Sequence, residues 1–257
     1  MRRLVYAHRG GMALSPENTI AAFDRGMAAG ADGLELDVRL SRDGVPVVHH
    51  DDTLERTTNA VGPVSALTVD ELARVDAGHQ FVVNGDFPFR GQGIGVPTLE
   101  EVLRRYPGAP LIIEMKGDSA DLAEAVVRVV RKAGALEHAM LSSFSMRTVR
   151  AARNASRDAR TGASTSEART ALWRSWLGLA PRRPEYYGFQ LPETAGRLRV
   201  VSRRFVRKVT GAGLSVSVWV VNEEADMRRL LAWGVTGLIT DRPHIAVPIV
   251  KATGHRP

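Results

Sequence analysis

The chain has 257 residues, a length that one large α/β barrel or two smaller domains can fill. Hydrophobic residues make up 44% and charged residues 25% of it, which excludes collagen-like, low-complexity and disordered classes. The absence of cysteine excludes disulfide scaffolds, thiolate nucleophiles and cysteine-ligated metal sites. The 35 basic and 28 acidic residues give a net charge of +7, but the arginines are spread along the chain and indicate no single polyanion-binding tract.

The first residues contain no apolar segment of signal-peptide length. No later stretch approaches the ~20 apolar residues that a transmembrane helix needs. We therefore expect a cytoplasmic protein without stable membrane insertion, and the sequence does not indicate its oligomeric state.

Short apolar segments alternate with helical patterns along the chain. The nine strand candidates are Leu4 to His8, Gly33 to Val38, Val45 to His50, Leu111 to Lys116, Met140 to Phe144, Arg160 to Ala163, Tyr187 to Leu191, Leu214 to Val221 and Gly237 to Thr240. Alternation of strand and helix predicts parallel pairing. One candidate differs, because only Ser41-Arg42-Asp43-Gly44 precedes Val45 and Asp-Gly favours a hairpin. Eight parallel strands remain, which predicts a TIM (β/α)₈ barrel.

Three predicted helices have readable ends. Ser15-Pro16-Glu17 is typical of a helix start, with Ser15 as the N-cap, and Gly30 ends that helix. A second helix runs from Asp121 to Gly134, and Asn222 is the predicted cap of a third.

The segment from Asp52 to Val96 breaks the alternation. It has no clean periodicity and is rich in glycine, proline and phenylalanine towards its end. A stretch of this length inside a compact domain is usually a functional insertion. We expect residues 1–257 to form a single barrel domain, with 52–96 as a small cap after the second barrel strand.

Three carboxylates share the predicted barrel interior. Glu35 and Asp37 are two apart and point to the same side of a strand, and Glu114 lies on the next barrel strand. Their charges would repel unless a cation neutralised them or arginines paired with them. Oxygen ligands favour Mg²⁺ or Ca²⁺, with Mn²⁺ or Zn²⁺ less favoured.

Two histidines are expected beside these carboxylates. His8 ends the first strand, and the returning hairpin arm brings His50 to the same rim, while His49 points to the opposite face of that arm. With the basic groups of Arg9 and Lys116, the set suits acid/base cleavage of a metal-held phosphodiester.

The motifs resemble those of the glycerophosphodiester phosphodiesterase family. They include His8-Arg9-Gly10, Pro16-Glu17-Asn18-Thr19, Glu35-Leu36-Asp37-Val38, His50-Asp51, Glu114-Met115-Lys116, Trp219-Val220-Val221-Asn222 and Thr240-Asp241-Arg242-Pro243. The resemblance implies a TIM-barrel hydrolase that releases an alcohol and glycerol 3-phosphate. The roles it implies are metal binding by Glu35, Asp37 and Glu114, acid/base catalysis by His8 and His50, phosphate binding by Arg9 and Lys116, and a substrate pocket lined by Trp219.

The departures from the family pattern are modest. Ser41 stands where threonine is usual, and Val220 replaces threonine after Trp219. Residues 164–184 and the tail after Pro243 match no motif. The sequence leaves open which histidine is the acid, which alcohol leaves, and whether water or a glycerol hydroxyl attacks phosphorus.

Two other functions compete with this interpretation. A phospholipase D-like or lysophospholipid phosphodiesterase would use the same barrel on lipid. A non-catalytic polyanion binder would explain the pI of about 10.3, but the dense basic clusters, such as Arg203 to Lys208, fit solvated surface better. We expect a small-molecule diester as the partner and no nucleic acid.

Overall fold

The computed structural model describes residues 1–182 and 184–253. Its strands are β1 (Leu4–His8), β2 (Gly33–Leu40), β3 (Pro46–Val48), β4 (Leu111–Met115), β5 (Ala139–Ser142), β6 (Arg160–Thr161), β7 (Gly188–Pro192), β8 (Thr194–Ala195), β9 (Leu198–Arg199), β10 (Ser215–Trp219) and β11 (Gly237–Thr240). Its α-helices are α1 (Ile20–Ala28), α2 (Val69–Leu72), α3 (Leu99–Arg105), α4 (Ala120–Lys132), α5 (Met146–Ala155), α6 (Thr165–Trp176), α7 (Arg203–Thr210), α8 (Glu224–Trp233) and α9 (Pro243–Ala252).

Eight of the strands form a parallel barrel. Their order is β6, β5, β4, β2, β1, β11, β10 and β7, with parallel pairing between neighbours. A parallel bridge between Gly162 and Gly188 joins the two end strands. The predicted TIM barrel is therefore confirmed.

The ninth predicted strand is the returning arm of a hairpin. β3 pairs antiparallel with the end of β2, with Val38 opposite Val48 and Leu40 opposite Pro46. The connection is too short for a parallel crossover, as the Asp-Gly pair predicted.

The barrel helices bury one face against the strands. In α4, Leu122, Val126 and Val130 recur at helical spacing and are buried, and the Ser119 hydroxyl accepts a hydrogen bond from the Leu122 amide at the first turn. The chain leaves this helix through Gly134, whose φ of 67° is in the left-handed region that glycine adopts readily.

Two helix starts differ from the prediction. Helix α1 begins at Ile20, and its N-cap is Thr19 rather than Ser15. The residues before it form a turn in which Asn18 has a φ of 58°, which a helix cannot contain. Helix α8 has Glu223 at its N-cap, without a side-chain capping bond. Asn222, the predicted cap, is bonded to Asp241 instead.

The core consists of two large apolar clusters and one small one. The first is built from residues 7–159, and the second mainly from residues 171–250. Residues 52–96 contain a 3₁₀ helix (Val64–Ala66), α2 and a third cluster that includes Leu54, Leu72 and Val96. Among the described residues, no helix is both long and apolar enough to span a membrane.

Candidate active site

The predicted site residues meet at the carboxyl ends of the barrel strands. The parallel register places His8 beside Glu35 and Asp37 beside Glu114, so the side chains lie at similar heights. They surround a cavity of about 170 Å³. All eight predicted residues line it: His8, Arg9, Glu35, Asp37, His50, Glu114, Lys116 and Trp219.

Glu35, Asp37 and Glu114 form the acidic cluster. One carboxylate oxygen from each lies within 4.8 Å of the other two. Burial and the neighbouring charge of Asp37 raise the pKa of Glu35 to about 8. A bound divalent cation would supply the positive charge that keeps such carboxylates ionised, and the all-oxygen donor set suits a hard ion. The cluster therefore fits a metal ion.

Two basic side chains balance part of this negative charge. The Lys116 Nζ lies 2.9 Å from Asp37 Oδ1 and 2.7 Å from Glu114 Oε1, and the Arg9 Nε lies 3.2 Å from Asp37 Oδ2. Burial opposes ionisation of Asp37, but these two cations lower its pKa below the usual range. Both cations also face the cavity, where phosphate oxygens could bind.

His8 is held by a carboxylate on its Nδ1 side. The Nδ1 atom lies 2.6 Å from Asp241 Oδ1, while Nε2 lies 3.8 Å from Glu35 Oε2. Burial lowers the pKa of His8, but the Asp241 hydrogen bond and the Glu35 charge outweigh burial and raise it. Asp241 in turn accepts a 2.7 Å bond from the Asn222 amide group.

His50 has a similar arrangement at the same cavity. Its Nδ1 lies 2.5 Å from Asp51 Oδ1, and Asp51 also accepts a hydrogen bond from Arg56 of the 52–96 segment. Burial disfavours ionisation of Asp51, but Arg56 and His50 lower its pKa far below the usual range. His49 bonds instead to the Thr53 carbonyl at 3.1 Å, so His50 alone of this pair lines the cavity.

The opposite wall of the cavity is apolar. The ring of Trp219 packs edge-to-face on Phe144, with centroids 6.1 Å apart. Phe144, Ala163 and Val220 also line the cavity. The charged groups therefore occupy one side of the cavity and the aromatic rings the other.

A sequence profile of the glycerophosphoryl diester phosphodiesterase family matches residues 8–245. The chain belongs to this family. The predicted resemblance and the predicted enzyme class, a phosphoric diester hydrolase, are thereby confirmed.

Relatives of this phosphodiesterase match over nearly its whole length. A glycerophosphodiester phosphodiesterase of Caldanaerobacter subterraneus subsp. tengcongensis is 32% identical, and the alignment covers 99% of this chain and 100% of the relative. A crystal structure of glycerophosphodiester phosphodiesterase from Agrobacterium tumefaciens is 29% identical, with a TM-score of 0.77 over 96% of this chain and 100% of that one. An Oleispira antarctica phosphodiesterase, solved with its product sn-glycerol-3-phosphate, is 26% identical, with a TM-score of 0.75 over 97% of each chain.

Several residues of the phosphodiesterase site were not assigned a catalytic, metal-binding or substrate-binding role from sequence. Asn18 donates a 2.9 Å bond to Asp37 Oδ2, and Glu17 accepts bonds from Arg9 and from Arg56. From sequence these two residues are interpreted mainly as scaffolding of the first helix, with a supporting role beside the site as the alternative. Their place in the Pro16–Thr19 motif, which resembles the family pattern, is the signal that could have assigned them to the site.

Asp241 and Asn222 were also given no role in the predicted site. The Asn222 side chain donates to Asp241 and accepts from the Asp241 amide at 3.0 Å, so it joins the ends of β10 and β11 instead of capping α8. Both residues lie in motifs that matched the phosphodiesterase family. Asp241 directly follows barrel strand β11 in the sequence, and this position could have identified it as a site residue.

Proposed function

We propose that this chain hydrolyses glycerophosphodiesters to an alcohol and sn-glycerol 3-phosphate. His8 and His50 are the acid/base pair, and Glu35, Asp37 and Glu114 hold one divalent cation, Mg²⁺ or Ca²⁺. The observation that carries this proposal is the pairing of each histidine Nδ1 with a carboxylate beside the acidic cluster. Such pairing leaves both Nε2 atoms for proton transfer.

The chain's own side chains account for binding and proton transfer. Arg9 and Lys116 hold the non-bridging phosphate oxygens, because both cations face the cavity beside the acidic cluster. One histidine removes the proton of the nucleophile and the other protonates the leaving alkoxide. The ring of Trp219 bounds the space for the alcohol. A bound cation would stabilise negative charge on the phosphate oxygens as a Lewis acid.

We also infer that residues 1–257 act as one barrel domain with residues 52–96 as its cap. Arg56 supports this inference, because it extends from that segment to Glu17 and Asp51 beside the cavity. The cap thereby contributes to the arrangement around His50.

Release of glycerol 3-phosphate from glycerophosphocholine and glycerophosphoethanolamine tests the proposal. We expect a chelator to abolish release and added Mg²⁺ or Ca²⁺ to restore it. His8→Ala and His50→Ala should each lower kcat by about 10²- to 10⁴-fold, the usual contribution of general acid/base catalysis.

His138→Ala is the matched control, because His138 is exposed and lies outside the cavity. It should retain wild-type turnover. Activity that persists in excess chelator, or full turnover by either cavity variant, contradicts the proposed chemistry.

A further inference from the structure

An apolar groove leaves the catalytic cavity between helix α6 and the β8–β9 hairpin. Its volume is about 370 Å³, within the range of small-molecule pockets. It shares Phe144, Ala163 and Gln190 with the cavity, so the two spaces adjoin each other. Its walls are formed mainly by apolar side chains, among them Ala168, Leu172, Leu191, Ala195 and Leu198.

The groove lies across the barrel from the acidic cluster. Glu35 and Asp37 are on β2, and Glu114 is on β4. The strand order, closed by the Gly162–Gly188 bridge, puts β7 four strands from β2 in either direction. A phosphodiester held by Arg9 and Lys116 therefore has space for one ester arm at the charged side and for the other towards the groove.

The chemistry of the two sides indicates which ester arm each side binds. Glycerol hydroxyls form hydrogen bonds and suit the side with the carboxylates and cations. The groove presents large apolar side chains to water at its rim, with Phe144 55% and Leu198 45% exposed. Covering such surface with another apolar group is favourable.

We propose that this groove binds a hydrocarbon chain carried by the leaving alcohol. The inference rests on the proposed function and names its substrate class as glycerol 3-phosphate diesters of long-chain alcohols. In that reaction the bond between phosphorus and the alcohol oxygen breaks, and the oxygen of water forms a bond to phosphorus. One proton of that water goes to the leaving alcohol, and the other stays with glycerol 3-phosphate.

The test compares monomeric octyl and ethyl esters of glycerol 3-phosphate below the micelle concentration of the octyl ester. We expect kcat/KM for the octyl ester to exceed that for the ethyl ester by about tenfold or more. The reason is that the additional methylenes of the octyl chain are transferred from water into the apolar groove. Leu198→Asp should bring this ratio close to one, since it places a carboxylate in the groove wall. Ala195→Trp should lower it too, by filling the groove.

Leu179→Asp is the matched control. Leu179 has nearly the same exposure as Leu198, 46% against 45%, but does not line the groove. It should leave the ratio of the octyl ester to the ethyl ester unchanged. Equal effects of the two aspartate variants, or equal use of both esters by the wild-type chain, overturn the assignment.

A lysophospholipid, whose chain is on the glycerol instead, is the third substrate. If its chain accelerates hydrolysis and the octyl chain does not, the groove does not bind the alcohol arm. Hydrolysis of either ester reports the proposed function separately from the groove. If neither ester is hydrolysed in the presence of Mg²⁺ and Ca²⁺, that function is overturned together with this inference, whereas hydrolysis of both without an octyl preference overturns the inference alone.

Discussion

Asp241 and Asp51 give the two cavity histidines comparable surroundings. Each carboxylate accepts from a histidine Nδ1, which fixes the tautomer with the proton on that nitrogen. The His8–Asp241 pair is more enclosed, with side chains 11% and 18% exposed against 30% and 28% for His50–Asp51. Since water screens and replaces exposed contacts more easily, Asp241 should matter more than Asp51.

Asp241→Asn should lower kcat by about 10²- to 10⁴-fold. The amide keeps the shape of the side chain but can donate to Nδ1, which favours the wrong tautomer of His8. Asp51→Asn should act in the same direction with a smaller loss. Steady-state kinetics on glycerophosphocholine measure both effects.

Asp226→Asn serves as the control for these variants, because Asp226 is nearly half exposed and pairs with Arg229 on the surface of α8. It should leave kcat unchanged. A kcat within about twofold of wild type for Asp241→Asn would show that His8 needs no orienting carboxylate.

At the scale of the elements, the start of helix α6 is stabilised by a capping box and an ion pair that share one glutamate. Ser164 and Glu167 form a capping box at its start, and Arg153 of α5 pairs with the same glutamate. Burial opposes ionisation of Glu167, but the bonds from Arg153 and the Ser164 amide lower its pKa. The carboxylate thereby ties α6 to α5 beside the barrel.

Glu167→Gln should lower the free energy of unfolding by about 1–2 kcal/mol at pH 7, because the ion pair with Arg153 is lost and the bond from the Ser164 amide loses its charged acceptor. Because the folded pKa of Glu167 is lowered, its contribution is present above the ordinary value of 4.5 and is lost as the pH falls through the folded value. The wild type and the variant should therefore converge in stability below pH 4.5. Urea unfolding at stepped pH measures the difference.

Glu224→Gln is the control for the helix prediction. Glu224 is 61% exposed and pairs with Arg228 four residues along α8. Such surface pairs contribute little, so its effect should stay within ~0.5 kcal/mol at every pH. A constant difference between Glu167→Gln and wild type down to acid pH would mean that charge plays no part.

At the scale of the whole molecule, the two large core clusters belong to one closed barrel. Phe23 lies fully buried in the cluster of residues 7–159, and Phe205 in the other, stacked edge-to-face on Phe189 at 5.4 Å. Strand β1 pairs with β11, and Gly162 bridges to Gly188, so each half of the barrel completes the sheet of the other. Neither half has a closed sheet alone.

We therefore expect cooperative unfolding in one transition. Phe23→Leu and Phe205→Leu should each lower the free energy of unfolding by about 1–3 kcal/mol and shift the same single transition. Far-ultraviolet circular dichroism and tryptophan fluorescence should give coincident curves for wild type and both variants. Two separate transitions, each sensitive to one variant, would instead divide the chain into two domains.

Element types and their order could be predicted from the sequence because they depend on local pattern. Apolar runs, caps and the Asp43-Gly44 turn were enough to predict eight parallel strands and a hairpin arm. Strand ends then placed His8, Glu35, Asp37 and Glu114 on one rim, since parallel strands point their carboxyl ends the same way. The predicted start of α1 was wrong. Pro16 and Glu17 favour a helix locally, whereas the bond from Asn18 to Asp37 is made from a turn at Asn18.

The sequence by itself determined the barrel class, the family motifs and the residues that gather at the mouth. The tertiary structure decided the partners of those residues. Asp241 reaches His8 across 233 positions, and Arg56 reaches Glu17 across 39. Such contacts exist because barrel closure brings β11 beside β1 and the chain returns the 52–96 segment to the mouth of the barrel. No local sequence pattern encodes a contact between residues so far apart in the chain.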